Sequence, residues 1–196
     1  MIKRTFDFLM SMIGILLLSP IFIIISIAIV MDSKGGVFYK QERIGRGRKP
    51  FKLLKFRSMK TGSDKKGLLT VGSNDSRVTK IGLFIRKYKL DELPQLINIL
   101  LGDMSFVGPR PEVKKYVDLY TKEQLKVLEV RPGLTDYASL AYFDENELLS
   151  KSANPEDTYI HVVMPAKLRL NFKYLEKKGF ITDIGLILKT IKRIIQ

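Results

Sequence analysis

Residues 8–31 read FLMSMIGILLLSPIFIIISIAIVM, 24 positions without a single charge. A helix of that length covers a hydrocarbon core of about 30 Å, so the default expectation is a membrane-spanning helix. Two features argue for another path. Ser19-Pro20 falls at the centre, where proline removes a backbone donor and crowds the preceding turn, so a bend is expected there. The flanks are both basic, with Lys3 and Arg4 ahead and Lys34, Lys40, Arg43, Arg46, Arg48 and Lys49 behind, and such flanks tend to stay cytoplasmic. A re-entrant helix-break-helix over residues 1–33, bent at Ser19 and Pro20, satisfies both ends, with a kinked span as the alternative. The Ser19 hydroxyl is available to a carbonyl freed at the bend. A cleavable signal peptide fits less well, because no small-residue cleavage pattern precedes the basic segment.

Outward from this segment, residues 34–196 read as one membrane-associated cytoplasmic domain of α+β class, mainly α. Val37-Phe38-Tyr39 and Phe51 to Phe56 flank the turn-rich Gly45 to Pro50 and predict a small β-hairpin. Gly45-x-Gly47 is too short for a dinucleotide fingerprint. Thr61 to Ser76 is polar and contains Gly62, Gly67 and Gly72, a loop composition. Ile81, Phe84, Ile85 and Tyr88 recur at helical spacing beside Lys80, Arg86 and Lys87, which suits either an amphipathic helix on headgroups or a core-facing helix. Val113 to Val130 predicts another helix, stopping by Arg131-Pro132-Gly133. Asn154-Pro155 starts a further helical stretch, with Pro165 expected to break it and Gly179 to end the next. A C-terminal amphipathic helix from about Asp183 carries Ile184, Ile187, Leu188, Ile191, Ile194 and Ile195, with Lys189, Lys192 and Arg193 suited to anionic lipid.

The 196-residue chain has 34 Lys plus Arg against 20 acids, a net charge of +14, so polyanions are the natural partners: nucleic acid, lipid headgroups or a phosphorylated substrate. Cysteine is absent, which excludes disulfides, thiolate zinc sites and a cysteine nucleophile. The only histidine, His161, sits in an apolar stretch without an acidic cluster and reads as structural.

Against this cationic background, Asp91 and Glu92 stand together after Arg86, Lys87 and Lys89 and before Gly108-Pro109-Arg110-Pro111. Acidic groups in a cationic surround suit chemistry at phosphorus, where basic groups hold phosphates and a carboxylate binds a metal or attacks. The competing reading makes Asp91 the cap of a helix through Leu93, Leu96, Ile97 and Leu100, with Glu92 at the positive end of its dipole. Neighbours on a helix point about 100° apart, so both carboxylates can border one pocket only at a helix start or turn. If the two form a site, they have different tasks.

Five ordered stretches then become specific: Phe38 to Gly45, Lys55-Phe56-Arg57-Ser58-Met59, Leu90 to Asn98, Gly102 to Pro111, and Arg131-Pro132-Gly133-Leu134-Thr135. Together they resemble the successive signatures of the bacterial sugar transferases called monotopic phosphoglycosyl transferases, over roughly residues 1 to 135, and the Ser19-Pro20 break fits the same family. The resemblance implies transfer of a phospho-sugar from a UDP-sugar to polyprenol (undecaprenyl) phosphate on the cytoplasmic face of the bacterial inner membrane, releasing UMP and starting a lipid-linked glycan. It further implies that Asp91 is the nucleophile and Glu92 its helper, with Mg2+ placed by one or both carboxylates. Arg86, Arg110 and Arg131 are then the expected phosphate ligands, followed by Lys55 and Arg57; any of them can instead pair with structural acids.

Lys89 stands where the family commonly has a small hydroxyl residue, and Asp136 where it commonly has glycine. The expected partners are a UDP-sugar, a polyprenol phosphate and the membrane, with a homodimer left open and no nucleic acid. A membrane-anchored basic adaptor without catalysis is the rival reading, weakened by the absence of a recognised nucleic-acid module.

Overall fold

The structure, a computed structural model, describes residues 2–63 and 75–195; most of the loop expected over Thr61 to Ser76 lies outside them. The apolar segment forms one long helix, α1 (Ile2–Asp32), which continues through Pro20. Helical structure therefore persists where the break was expected. Proline removes the N–H that would reach the Leu16 carbonyl one turn back, and the Ser19 hydroxyl donates to that carbonyl instead, at 2.8 Å.

Much of α1 is bare, with Leu16 67% and Leu17 74% exposed, yet both of its ends are held by the folded domain. Near its start, Lys3 pairs with Asp183 and Arg4 donates to the carbonyls of Ile99 and Leu100 at 2.6 and 2.8 Å. The buried Asp7 accepts from the Phe106 amide at 3.2 Å. Near its end, Ile25 and Ile29 pack on Phe56 and Ile85, while Ile15 and Leu18 join the cluster of Leu53, Leu96, Ile99 and Met104.

The hairpin is present as expected: β1 (Phe38–Ile44) pairs antiparallel with β2 (Pro50–Phe56), Tyr39 opposite Lys55 and Arg43 opposite Phe51. Helix α2 (Lys80–Lys87) is started by Thr79, whose hydroxyl accepts from the Gly82 amide at 3.0 Å, and by Asp32 at the end of α1, which accepts from the Ile81 amide at 3.0 Å. A short α3 (Gln95–Leu101) leads to β3 (Ser105–Val107), which pairs in parallel with β4 (Gly133–Thr135).

The helix expected over Val113 to Val130 is divided. Only α4 (Lys114–Val117) is α-helical, and a 3-10 segment comes later at Gln124–Glu129. The cause is a reciprocal cap: the Thr121 hydroxyl accepts from the Gln124 amide and the Gln124 side chain accepts from the Thr121 amide, which starts a new turn inside the periodic stretch. After α5 (Tyr137–Ala141) and α6 (Glu145–Ser150), α7 (Pro155–Thr158) opens with Asn154 as its cap, as read from the sequence. Pro165 does not interrupt the helical path beyond α7. The helix widens into a π turn at Tyr159–Val163 and continues as α8 (Met164–Lys177), since a wider turn accommodates the proline ring and the donor it lacks. The final α9 (Phe180–Ile195) begins three residues before Asp183.

Candidate active site

Asp91 and Glu92 lie in a 3-10 turn, Leu90–Glu92, between α2 and α3. Lys89 enters it with φ of 55°, the left-handed conformation that L side chains avoid. That reversal aims two neighbouring carboxylates into one cleft of about 730 Å³, a volume typical of small-molecule sites. The capping alternative fails on geometry, because α3 begins at Gln95 and has no side-chain cap. Among the described residues, the Asp91 side chain accepts no hydrogen bond.

The two carboxylates sit in opposite electrostatic states. Glu92 takes Lys55 on Oε1 at 3.0 Å and Arg110 on both oxygens, with Nη1 reaching Oε2 at 3.1 Å. Burial alone would raise its pKa, but Arg110 and Lys55 outweigh that and hold it well below the ordinary carboxylate range. Asp91 is 7% exposed. Burial raises its pKa, with Lys55 pulling back and Glu92 adding to the rise.

Arg110 is aimed by a backbone crossing. Gly108 donates to the Thr135 carbonyl at 3.1 Å, and Gly133 donates to the Pro109 carbonyl at 3.0 Å. A side-chain carbon on Gly108 would lie 2.4 Å from the Arg131 carbonyl oxygen, and one on Gly133 would lie 2.1 Å from the Gly108 nitrogen. Glycine is required at both because two backbones touch. The Arg131-Pro132-Gly133 stretch thus serves as a platform under Gly108-Pro109-Arg110-Pro111.

Of the five expected phosphate cations, Lys55, Arg86 and Arg110 line the cleft with the carboxylates. Arg86 forms no ion pair among the described residues. Arg131 is not among the cleft-lining residues, and its Nε donates to the Gly102 carbonyl at 2.8 Å. Arg57 borders the cleft but is buried, and its guanidinium is spent on the end of α1: Nε donates to Gly36 at 2.6 Å, Nη1 to the Ser33 hydroxyl and Lys34, and Nη2 to Ser33 at 2.8 Å. In this geometry Arg57 is engaged by the backbone at the end of α1 and Arg131 by the Gly102 carbonyl, so neither stands beside the carboxylates as Lys55 and Arg110 do. His161 is exposed and paired with Asp157, also in keeping with a structural role.

Of the two departures from the family pattern, Lys89 lines the cleft and Asp136 does not. Lys89 donates to the Phe143 carbonyl at 3.4 Å and lies 4.7 Å from the centre of the Phe143 ring; burial lowers its pKa. Asp136 is fully buried and caps α5 by accepting from the Ser139 amide at 2.6 Å, and burial raises its pKa. Farther along, Arg43, Glu112, Tyr159, Glu145 and Lys167 also line the cleft. Their pairing across the fold makes them a set, and no spacing in the chain announces it. Among the described residues, no group of three or more His, Cys, Asp or Glu side chains is placed to bind a metal.

A family model described as "Bacterial sugar transferase" matches residues 1–196. The chain is 36% identical over 197 residues to the UDP-N-acetylgalactosamine-undecaprenyl-phosphate N-acetylgalactosaminephosphotransferase of Aeromonas hydrophila, covering 99% of this chain and 44% of that protein. It is 36% identical over 195 residues to the uncharacterized sugar transferase EpsL of Bacillus subtilis (strain 168), covering 99% and 87%. The UDP-glucose:undecaprenyl-phosphate glucose-1-phosphate transferase of Escherichia coli (strain K12) is 34% identical over 196 residues, covering 97% and 39%. The chain therefore spans less than half the length of the first and third of these relatives. It belongs to the bacterial sugar transferase family.

Proposed function

We propose that this sugar transferase moves a sugar 1-phosphate from a UDP-sugar to a polyprenol phosphate, releasing UMP, through a phosphosugar ester on Asp91. The observation that carries the reading is the asymmetry of the pair: a clamped, charge-compensated Glu92 beside a buried, unpartnered Asp91, at the foot of a cleft lined by Arg86, Lys55 and Arg110. A poorly solvated carboxylate is the stronger nucleophile once ionised. The relatives named for transfer of sugar phosphates to undecaprenyl phosphate support the same acceptor class.

An Asp91 oxygen attacks the sugar-bearing phosphorus, and the bond to the bridging oxygen breaks, so that oxygen leaves with UMP. An oxygen of the lipid phosphate then attacks the same phosphorus and releases the Asp91 carboxylate. Arg86, a cleft arginine with neither an ion pair nor a side-chain hydrogen bond among the described residues, is suited to hold the diphosphate, and Arg110 keeps Glu92 ionised. Asp91 and Glu92 also fit a Mg2+ ion: Glu92 receives three N–H groups on oxygens offering about four lone-pair sites, and Asp91 receives none. Such an ion normally takes one or two carboxylates, with phosphate and water completing its shell. It would neutralise diphosphate oxygens and the charge on departing UMP.

The two ends of α1 support a monotopic arrangement on the cytoplasmic leaflet. A straight crossing separates helix ends by the full bilayer, whereas here Lys3 and Ser33 are both held by the same domain. The exposed Leu16 and Leu17 suit the deepest part of a re-entrant path.

Asp91→Asn tests the chemistry: it keeps membrane association and abolishes UMP release and the phosphosugar adduct seen by intact-protein mass spectrometry. Full activity in that variant overturns the assignment. A membrane-impermeant thiol label on Ile2→Cys tests the topology, since labelling from outside the cell means that α1 spans.

A further inference from the structure

Beyond the carboxylate pair, the cleft continues to a wall built by α6 and α8 that phosphate chemistry does not use. Lys167 on α8 donates to Glu145 on α6 at 2.7 Å, with side chains only 14% and 22% exposed. Asn146 and Tyr142 line the same wall. The Lys167 ammonium lies 5.4 Å from the centre of the Tyr159 ring. Behind it, the Tyr159 hydroxyl donates to Glu112, which is held from its other oxygen by Arg43 at 2.9 Å. The rings and charges of this wall are fixed in place before any ligand arrives.

Largely buried ion pairs are poor devices for stability, because desolvation offsets their attraction. A Lys–Glu pair facing a cleft instead offers a fixed donor beside a fixed acceptor. That arrangement disfavours a phosphate, which Glu145 repels, and an acyl chain, which leaves both charges unsolvated. It suits a neutral ring carrying several hydroxyls, each a donor and an acceptor, stacked against a tyrosine face. Glu145, Asn146 and Lys167 line the same cleft as Asp91, Glu92 and Arg110, so the wall and the carboxylate pair face one space.

We propose that Glu145, Lys167 and Asn146, backed by Tyr142 and Tyr159, form the surface that reads the sugar ring of the donor. This rests on the transferase reading and assigns the selection among sugars to the α6–α8 wall.

The test measures kcat/KM for UMP release from UDP-N-acetylgalactosamine, UDP-N-acetylglucosamine, UDP-galactose and UDP-glucose with polyprenol phosphate, for the unaltered protein and for Asn146→Ala, Glu145→Gln and Lys167→Met. The Asn146 side chain is exposed and unbonded among the described residues, so its variant keeps the test sound if removal of Lys167 prevents folding. The ratio between best and worst donors is expected to shrink by about tenfold, while inhibition by UMP stays within about twofold. An equal loss for all four donors overturns the proposal, and so does a parallel weakening of UMP inhibition, which places the uracil there instead. Absence of UMP release from any donor by the unaltered protein overturns the transferase reading and this proposal with it.

Discussion

Arg110 holds Glu92 with two guanidinium nitrogens, Nη1 on Oε2 and Nη2 on Oε1, across 18 positions of sequence. A planar fork does this and an ammonium cannot. Arg110→Lys is therefore expected to lower kcat by about 100-fold, the cost of losing one well-aimed donor at a charged site. Membrane association should be unchanged. Steady-state UMP release checks it, and a conserved rate in the lysine variant means that charge alone suffices.

Arg57 predicts a different phenotype. Its guanidinium closes the end of α1 on the carbonyls of Ser33, Lys34 and Gly36, so Arg57→Ala should destabilise the protein by about 3 kcal/mol, several buried acceptors losing a charged donor. Denaturation in detergent measures this. A raised KM for the donor with no change in stability would return Arg57 to the phosphates.

Gly108→Ala should be among the most damaging single-methyl changes, because its Cβ meets the Arg131 carbonyl oxygen at 2.4 Å. A loss of about 3 kcal/mol or more is expected, since rigid backbone must move, together with misplacement of Arg110. Gly47→Ala is the contrast. It has open space but a φ of 66°, so it should cost only about 1 kcal/mol. Chemical denaturation of the two variants side by side checks the difference.

Glu112 links stability to acid. Burial raises its pKa, but Arg43, Lys167 and Tyr159 outweigh that, and the folded value lies below the ordinary one. A depressed carboxylate contributes stability that is complete above its unfolded pKa, about 4.3, and is lost as pH falls through its folded pKa. Glu112→Gln should be less stable at neutral pH and show a shallower decline below about pH 4 in denaturant titrations. Parallel acid limbs for the two proteins would contradict this.

How much of the fold is legible in the sequence depends on the range of the interactions. The apolar run, the hairpin around Gly45 to Pro50 and the cap Asn154 are local features, and each is readable from adjacent residues. Asp91 and Glu92 stand out because two acids interrupt a basic stretch, although only the left-handed Lys89 explains how both face one cleft. The rest depends on meetings between distant segments. Nothing near Arg131 indicates that its loop supports Gly108, and nothing near Arg57 indicates that the end of α1 uses up its donors. The Thr121–Gln124 cap is visible in residue type but masked by continuous apolar periodicity across it. At Pro165 the rule for proline is correct, and the wide turn before it removes the consequence.

The contact between Lys3 and Asp183 joins positions 180 residues apart. During synthesis the apolar helix leaves the ribosome early, while the carboxylate that secures its first turn is translated long afterwards. Until then the N-terminal turn is held by Arg4 on the carbonyls of Ile99 and Leu100 and by Asp7 on the Phe106 amide, and the last contact belongs to the slow, long-range class of folding events. Closure around the start of α1 thus has two stages: residues 99–106 bind it first, and α9 adds Asp183 last.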